Sequence, residues 1–207
     1  MTPPRLNSVL TQGNAINRGS GYDLMHGSYE NFGIFNGAFE QGPSGQVESA
    51  APEGWGYTVI GAGGTFLRTT GGYAGNWCAM GGQVGMGAGV DLVAQKYMPV
   101  SELYIYYYQF AACETNSGTV RAGLYCYDAA KGALASVWGA AAFIPASTYP
   151  AWTLYYYYAA PGAMALTATT RYVRPIIRLQ VNAALTDAWT YVDDVKFQQV
   201  PRWAWPQ

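Results

Sequence analysis

The chain has 207 residues, enough for one sizeable domain or for a domain carrying an arm. Half of its residues are hydrophobic and 11% are charged, with a net charge of −1 and no basic block, which argues against nucleic-acid binding through phosphate neutralisation. No run approaches the ~18 unbroken apolar residues of a membrane span, and the N-terminus lacks the apolar segment of a secretory signal, so no membrane partner and no export are expected. Such low charge beside 18 tyrosines and seven tryptophans suits a surface covered by partners.

Residues 1–33 are polar, rich in Asn, Gly and Ser, and show neither a helical nor a strand period. They cannot build a core of their own and read as an extended arm that docks on a partner, or else as a tail. Isolated apolar residues such as Leu10 and Ile16 are the candidate contacts of that arm. From 34 onward strands and turns alternate. The expected strands are "IFNGAFE", "GWGYTVIG", "NWCAMGGQVGMG", "SELYIYYYQFAAC", "TVRAGLYCYDAA", "GALASVWGAAAFIPA", "AWTLYYYYAAP", "ALTATTRYVRPIIRLQVN" and "AWTYVDDVKFQQV". This spacing, with Gly and Pro turns and no long helical period, predicts an all-β sandwich over 34–200, followed by a tail at 201–207. "TNSG" at 115–118 reads as a hairpin turn whose register sets Cys113 opposite about residue 120, so Cys78, Cys113 and Cys126 are expected as free, buried thiols.

"NGAFEQG", "PEGWGY", the "YDAAKGAL" turn, "AWTLYYYY", "RPIIRLQV" and the closing "WTYVDDVKF" together resemble the jelly-roll carbohydrate-binding modules that accompany xylanases and other polysaccharide hydrolases. The resemblance covers roughly residues 34–200 and implies a jelly-roll β-sandwich. It also implies a structural calcium where the first and last strands meet, with Glu40 and Asp193 as ligands. By strand parity Asp193 shares the apolar face of Val195 and Phe197, where an unpaired carboxylate is expensive. The alternative to the metal is that Asp193 accepts backbone N–H bonds at a strand end. Trp55 and Trp152 match structural positions of the family and are expected in the core.

No active site is expected. His26 is the sole histidine and lies in the arm, no His/Cys cluster has zinc spacing, and "GAGG" at 61–64 lacks the Lys-Ser/Thr and helix of a phosphate loop. Glu102, Glu114, Asp128 and Asp187 are the carboxylates a glycosidase would draw on, and nothing in the sequence pairs them.

Two readings of function remain. The doubly apolar tyrosine strands, the arm, and Trp203 and Trp205 in the tail point to a contact surface. The leading expectation is therefore a phage virion structural or accessory protein: capsid decoration, head fibre or tail fibre. It would assemble with other virion proteins and with itself as a homo-oligomer, with a trimer as one plausible state. The alternative is a carbohydrate-binding module or lectin-like adhesin for host glycans, in which Tyr73, Trp77, Tyr106 and Trp138 stack on sugar rings.

Overall fold

The computed structural model describes residues 36–42, 51–83, 88–100, 104–115, 118–139, 142–143, 150–159, 166–167, 169–181 and 188–201. The strands in chain order are β1 (Trp55–Ile60), β2 (Gly64–Thr70), β3 (Trp77–Gln83), β4 (Gly89–Ala94), β5 (Met98–Pro99) and β6 (Tyr104–Thr115). They continue as β7 (Gly118–Tyr127), β8 (Val137–Trp138), β9 (Ala142–Phe143), β10 (Thr153–Ala159), β11 (Tyr172–Val181) and β12 (Trp189–Pro201). They form two antiparallel sheets. One runs β1-β4-β11-β7-β8, with β5 on β11 and β9 on β7; the other runs β10-β6-β12-β3-β2. This is the expected jelly-roll β-sandwich. Among the described residues no helix is long and apolar enough to cross a membrane.

The core lies where alternate residues of both sheets meet. Val90 and Leu92 of β4, Val120, Ala122 and Leu124 of β7, and Val173, Ile177 and Leu179 of β11 face Phe66, Phe110, Val192, Val195 and Phe197 of the other sheet. Trp55 completes this core as expected, with Phe39 against it at 5.4 Å between ring centroids. Central strand β11 tolerates Pro175 because its pairing with β5 ends at Val173 and its pairing with β4 begins at Ile176. The missing N–H falls beside that gap.

Several sequence expectations change. "TNSG" is not a hairpin turn: β6 and β7 lie in different sheets, so the chain crosses the sandwich there. Cys113 consequently sits opposite Tyr191, and Cys126 opposite Val173. All three thiols are free and buried, as expected, and burial raises each above the ordinary thiol range, Cys78 and Cys113 the most. The described part of "IFNGAFE" is a turn, with Asn36 and Phe39 at φ 58° and 55°. Asn36 Nδ2 donates to the Glu53 carbonyl (3.1 Å) and its Oδ1 accepts the Gln41 amide (2.9 Å), which makes the motif a clasp. Strands β2 and β4 were not anticipated.

The last strand carries the most informative change. Between Asp193 and Lys196 the register slips by a β-bulge, with Asp194 at φ 48°. The extra residue breaks the parity argument. Val195 and Phe197 face the core, whereas Asp193 turns to the outer side, under the loop between β2 and β3.

Candidate glycan-binding face

The outer face of the seven-stranded sheet collects polar and aromatic side chains by strand parity. Asp91 points outward from β4, Arg178 from β11, Arg121 and Tyr125 from β7, and Trp138 stands on β8. Asp91 is 3% exposed, and a bare carboxylate there would be costly. It is paid for by a forked contact: Arg178 Nε donates to Oδ1 at 2.7 Å and Nη2 to Oδ2 at 2.8 Å. The Tyr125 hydroxyl donates to the same Oδ2 at 3.1 Å. β11 lies between β4 and β7, so this last bond spans Ile176, which is fully buried despite its outward parity.

Burial, and then the Asp91 carboxylate, push the Tyr125 phenol up to about 12, so it remains a donor across the physiological range. The hydrogen bond to Asp91 likewise raises Arg178 above its ordinary value, fixing its charge. The Trp138 ring sits over that guanidinium, 4.3 Å from carbon to ring centroid, and its edge meets Tyr125 at 6.5 Å. Gly123 makes room for it: a Cβ at that position would stand 2.7 Å from Trp138 Cε3. Arg121 Nε donates to the Gly139 carbonyl at 2.8 Å, which holds the chain just after Trp138.

Further along the same sheet is a second group. Tyr97 packs edge-on to Tyr127 at 4.8 Å, with Lys131 Nζ 5.0 Å and the Arg174 guanidinium 5.3 Å from its ring centroid. Arg174 Nε donates to the Ala94 carbonyl at 2.7 Å, at the end of the β4 ladder. Lys131 is set by the turn at 128–132, where Asp128 Oδ1 accepts the amides of Ala130 and Gly132. Half-exposed rings beside fixed donors can stack on the C–H face of a sugar and bind its hydroxyls.

The four aromatic residues singled out from sequence do not converge. Tyr106 is 3% exposed and stacked on Phe197 inside the core, so no ligand reaches it. Trp77 is half-buried under Arg68, whose guanidinium lies 3.9 Å from its ring centroid. Tyr73 is 43% exposed on the β2–β3 loop, against Trp152 at 6.2 Å. Trp152 itself is not in the main core; it packs on a second cluster of Cys78, Met80, Cys113 and Tyr191 on the outer side of the five-stranded sheet. Of the four, Trp138 alone belongs to the face described above. Asp91, Arg121, Tyr125 and Arg178 were missed. Alternation within "RPIIRLQV" was the available signal for Arg178, whereas "GVDLVA", apolar at every position but Asp91, was not recognised as a strand. Leu10, Ile16, His26, Glu102, Asp187, Trp203 and Trp205 lie outside the described residues. Glu114 and Asp128 are not brought together: Glu114 accepts the Gly118 amide and Asp128 closes its own turn.

Glu40 and Asp193 grip one loop. Glu40 Oε1 accepts the amides of Asn76 (2.8 Å) and Trp77 (2.9 Å), while Asp193 accepts Ala74 N through Oδ2 (2.9 Å) and Asp194 N through Oδ1 (2.7 Å). Arg68 joins the clasp by donating to the Phe39 and Glu40 carbonyls at 2.6 and 2.8 Å. Among the described residues no group of three or more His, Cys, Asp or Glu is placed to hold a metal. Both carboxylates accept amide hydrogens, so a calcium ion here would depend on backbone carbonyls for most of its six to eight oxygens.

No protein-family model matches the chain, and no curated protein matches it. Similar solved structures include the arabinose-bound MgGH51 α-L-arabinofuranosidase, at TM-score 0.53 and 16% identity, over 83% of this chain and 27% of that one. The enzymatically active domain of bacteriophage CBA120 tailspike protein 4 is similar at TM-score 0.51 and 12% identity, over 82% and 22%. The CBM22-1 xylan-binding domain of Paenibacillus barcinonensis Xyn10C is similar at TM-score 0.49 and 13% identity, over 79% and 92%. The chain thus spans about a quarter of the length of the first two, and at these identities the likeness is one of fold.

Proposed function

We propose that this domain is a non-catalytic carbohydrate-binding module whose sugar-binding surface is the outer face of the seven-stranded sheet. The observation that carries the reading is the Trp138 ring held over Arg178, with Asp91 and Tyr125 locking that arginine in place. Arg178 is already bonded to Asp91 without a ligand, which would lower the ordering cost of binding. A glycan array on the purified protein tests it. Selective binding is expected, weakened at least tenfold by Trp138→Ala with little change in melting temperature, as for truncation of an aromatic anchor. An array with no selective signal, or a Trp138→Ala variant that binds as well as the parent, would overturn it.

A second reading is supported by the fold shared with a phage tailspike domain. In it the chain is a virion structural or accessory subunit, residues 1–33 anchor it to the particle or to sibling subunits, and the module displays its sugar-binding face outward. Light scattering on the full chain and on a chain starting at residue 34 is the check. A homo-oligomer that falls to monomer without the arm supports the reading, and a monomer in both cases counts against self-assembly.

A further inference from the structure

Arg121 and Arg178 are direct cross-strand partners in the β7–β11 register, both on the outer face. Like charges directly opposite one another destabilise a strand pair. One carboxylate is supplied for the two of them, and Asp91 gives both its oxygens to Arg178. Arg121 is held by the Gly139 carbonyl instead, and it has no carboxylate partner among the described residues. The same holds for Arg174 and Lys131, which lean on the Tyr97 ring. The nearby Asp128 is committed to its own turn. Four of the chain's 11 basic residues thus stand on one face of a protein whose net charge is −1. Arg174 and Arg178 are four residues apart on β11, about 13 Å at a strand rise of ~3.3 Å per residue. The fixed cations form a row of the length of a short oligosaccharide.

We infer that the ligand of this face is an anionic glycan, a uronate-containing polysaccharide whose carboxylates pair with Arg121 and Arg174 while its rings stack beside Trp138 and Tyr97. The inference rests on the carbohydrate-binding reading and adds the substrate class. A planar guanidinium matches a carboxylate as a fork, and the ligand's charge would relieve the arginine pair that the apo protein carries at a cost. Neutral glycans offer these three cations hydroxyl acceptors but no charge to pair with.

The experiment compares polygalacturonate, neutral galactan and dextran sulfate by isothermal titration on the full chain and on Arg121→Gln and Arg174→Gln. Polygalacturonate is expected to bind at least tenfold tighter than galactan, with affinity falling as salt rises. Each substitution is expected to weaken polygalacturonate about tenfold and galactan far less, since Arg121 also steadies the chain after Trp138 through the Gly139 carbonyl and Arg174 is bound to the Ala94 carbonyl. Dextran sulfate bound as well as polygalacturonate would show a surface for polyanions in general and overturn the carboxylate assignment. Galactan bound as tightly as polygalacturonate, or variants without effect, would overturn the inference and leave the carbohydrate-binding reading standing. No binding here together with a blank glycan array would remove both.

Discussion

The two outer faces of the sandwich bury carboxylates for different ends. On the five-stranded sheet Asp193 is fully buried and accepts amide hydrogens from the loop above it, beside an apolar cluster of Cys78, Met80, Cys113 and Tyr191. Its partners are main chain, so the carboxylate holds the fold together. On the seven-stranded sheet Asp91 is nearly as buried, yet its partners are side chains that remain partly exposed; Arg178 keeps 25% of its side-chain surface. There the carboxylate sets the position of groups that face outward. A buried charge bonded to backbone reads as architecture, and one bonded to half-exposed arginine and tyrosine reads as a surface prepared for a partner.

The largest expected effect separates the core from the outer face of the seven-stranded sheet. Phe39 is fully buried against Trp55, and Arg68 is bound to its carbonyl within the Glu40 clasp. Phe39→Ala should cost roughly 3–5 kcal/mol in urea unfolding, as for other large-to-small aromatic core changes. Glycan affinity of the folded protein should be unchanged. A Phe39→Ala variant as stable as the parent, or one that binds glycan more weakly while folded, would break the separation of the core from the proposed binding face.

A middle-sized effect concerns pH. Burial raises Asp193 from 3.8 to about 6, against the lowering influence of the Ala74, Asp194 and Tyr73 amides. The folded form therefore holds this proton more tightly than the unfolded chain does. The group's contribution to stability is full below the unfolded value and is lost as pH rises through about 6. The amount is at most roughly 3 kcal/mol, since one pKa unit corresponds to about 1.4 kcal/mol. Urea unfolding between pH 4 and pH 7 should show this decline in the parent and a flatter profile in Asp193→Asn. Burial raises the Glu114 carboxyl in the same direction, but that contribution is common to both proteins and cancels. Equal slopes would mean that Asp193 does not carry the pH dependence. Melting with calcium or with EDTA, on the parent and on Glu40→Gln, tests the calcium expectation at the same clasp. A calcium-dependent rise in the parent that is absent in Glu40→Gln would support it.

Much of the fold was legible in the sequence. Alternation and turn chemistry fixed the all-β sandwich, and most strands fall where the pattern put them. What failed was what depends on the second sheet. "TNSG" has hairpin chemistry, but β6 and β7 each find better partners in opposite sheets, β12 and β11, so the two strands it joins do not pair. The bulge at Asp193 adds one residue, and a period of two turns that single residue into an exchange of faces. The aromatic candidates were chosen by type, and type does not distinguish Tyr106 in the core from Trp138 on the face. Asp91 was missed because "GVDLVA" is buried throughout and shows no clean alternation. The charge pattern that singles out the face, Arg121 against Arg178, exists only once the β7–β11 register is known.

The smallest stability effect tests how the proposed binding face is built. Gly123 carries the Trp138 ring, and a Cβ there would lie 2.7 Å from both the ring and the Val137 carbonyl oxygen. Those atoms are a backbone carbonyl and a packed ring of β8, so that strand of two residues must shift to admit the Cβ. Gly123→Ala should therefore lose about 1–2 kcal/mol of stability, within the range for overpacking. It should nevertheless displace the ring from its place over Arg178. If stacking on a fixed Trp138 binds the glycan, Gly123→Ala weakens binding by much of what Trp138→Ala does, and the double variant is little worse than Trp138→Ala alone, because both remove the same contact. Additive losses would mean that Gly123 acts on the ligand by another route. Unchanged binding in Gly123→Ala, beside a large loss in Trp138→Ala, would show that the ring serves without its bed, and that the face is less preorganised than its hydrogen bonds imply.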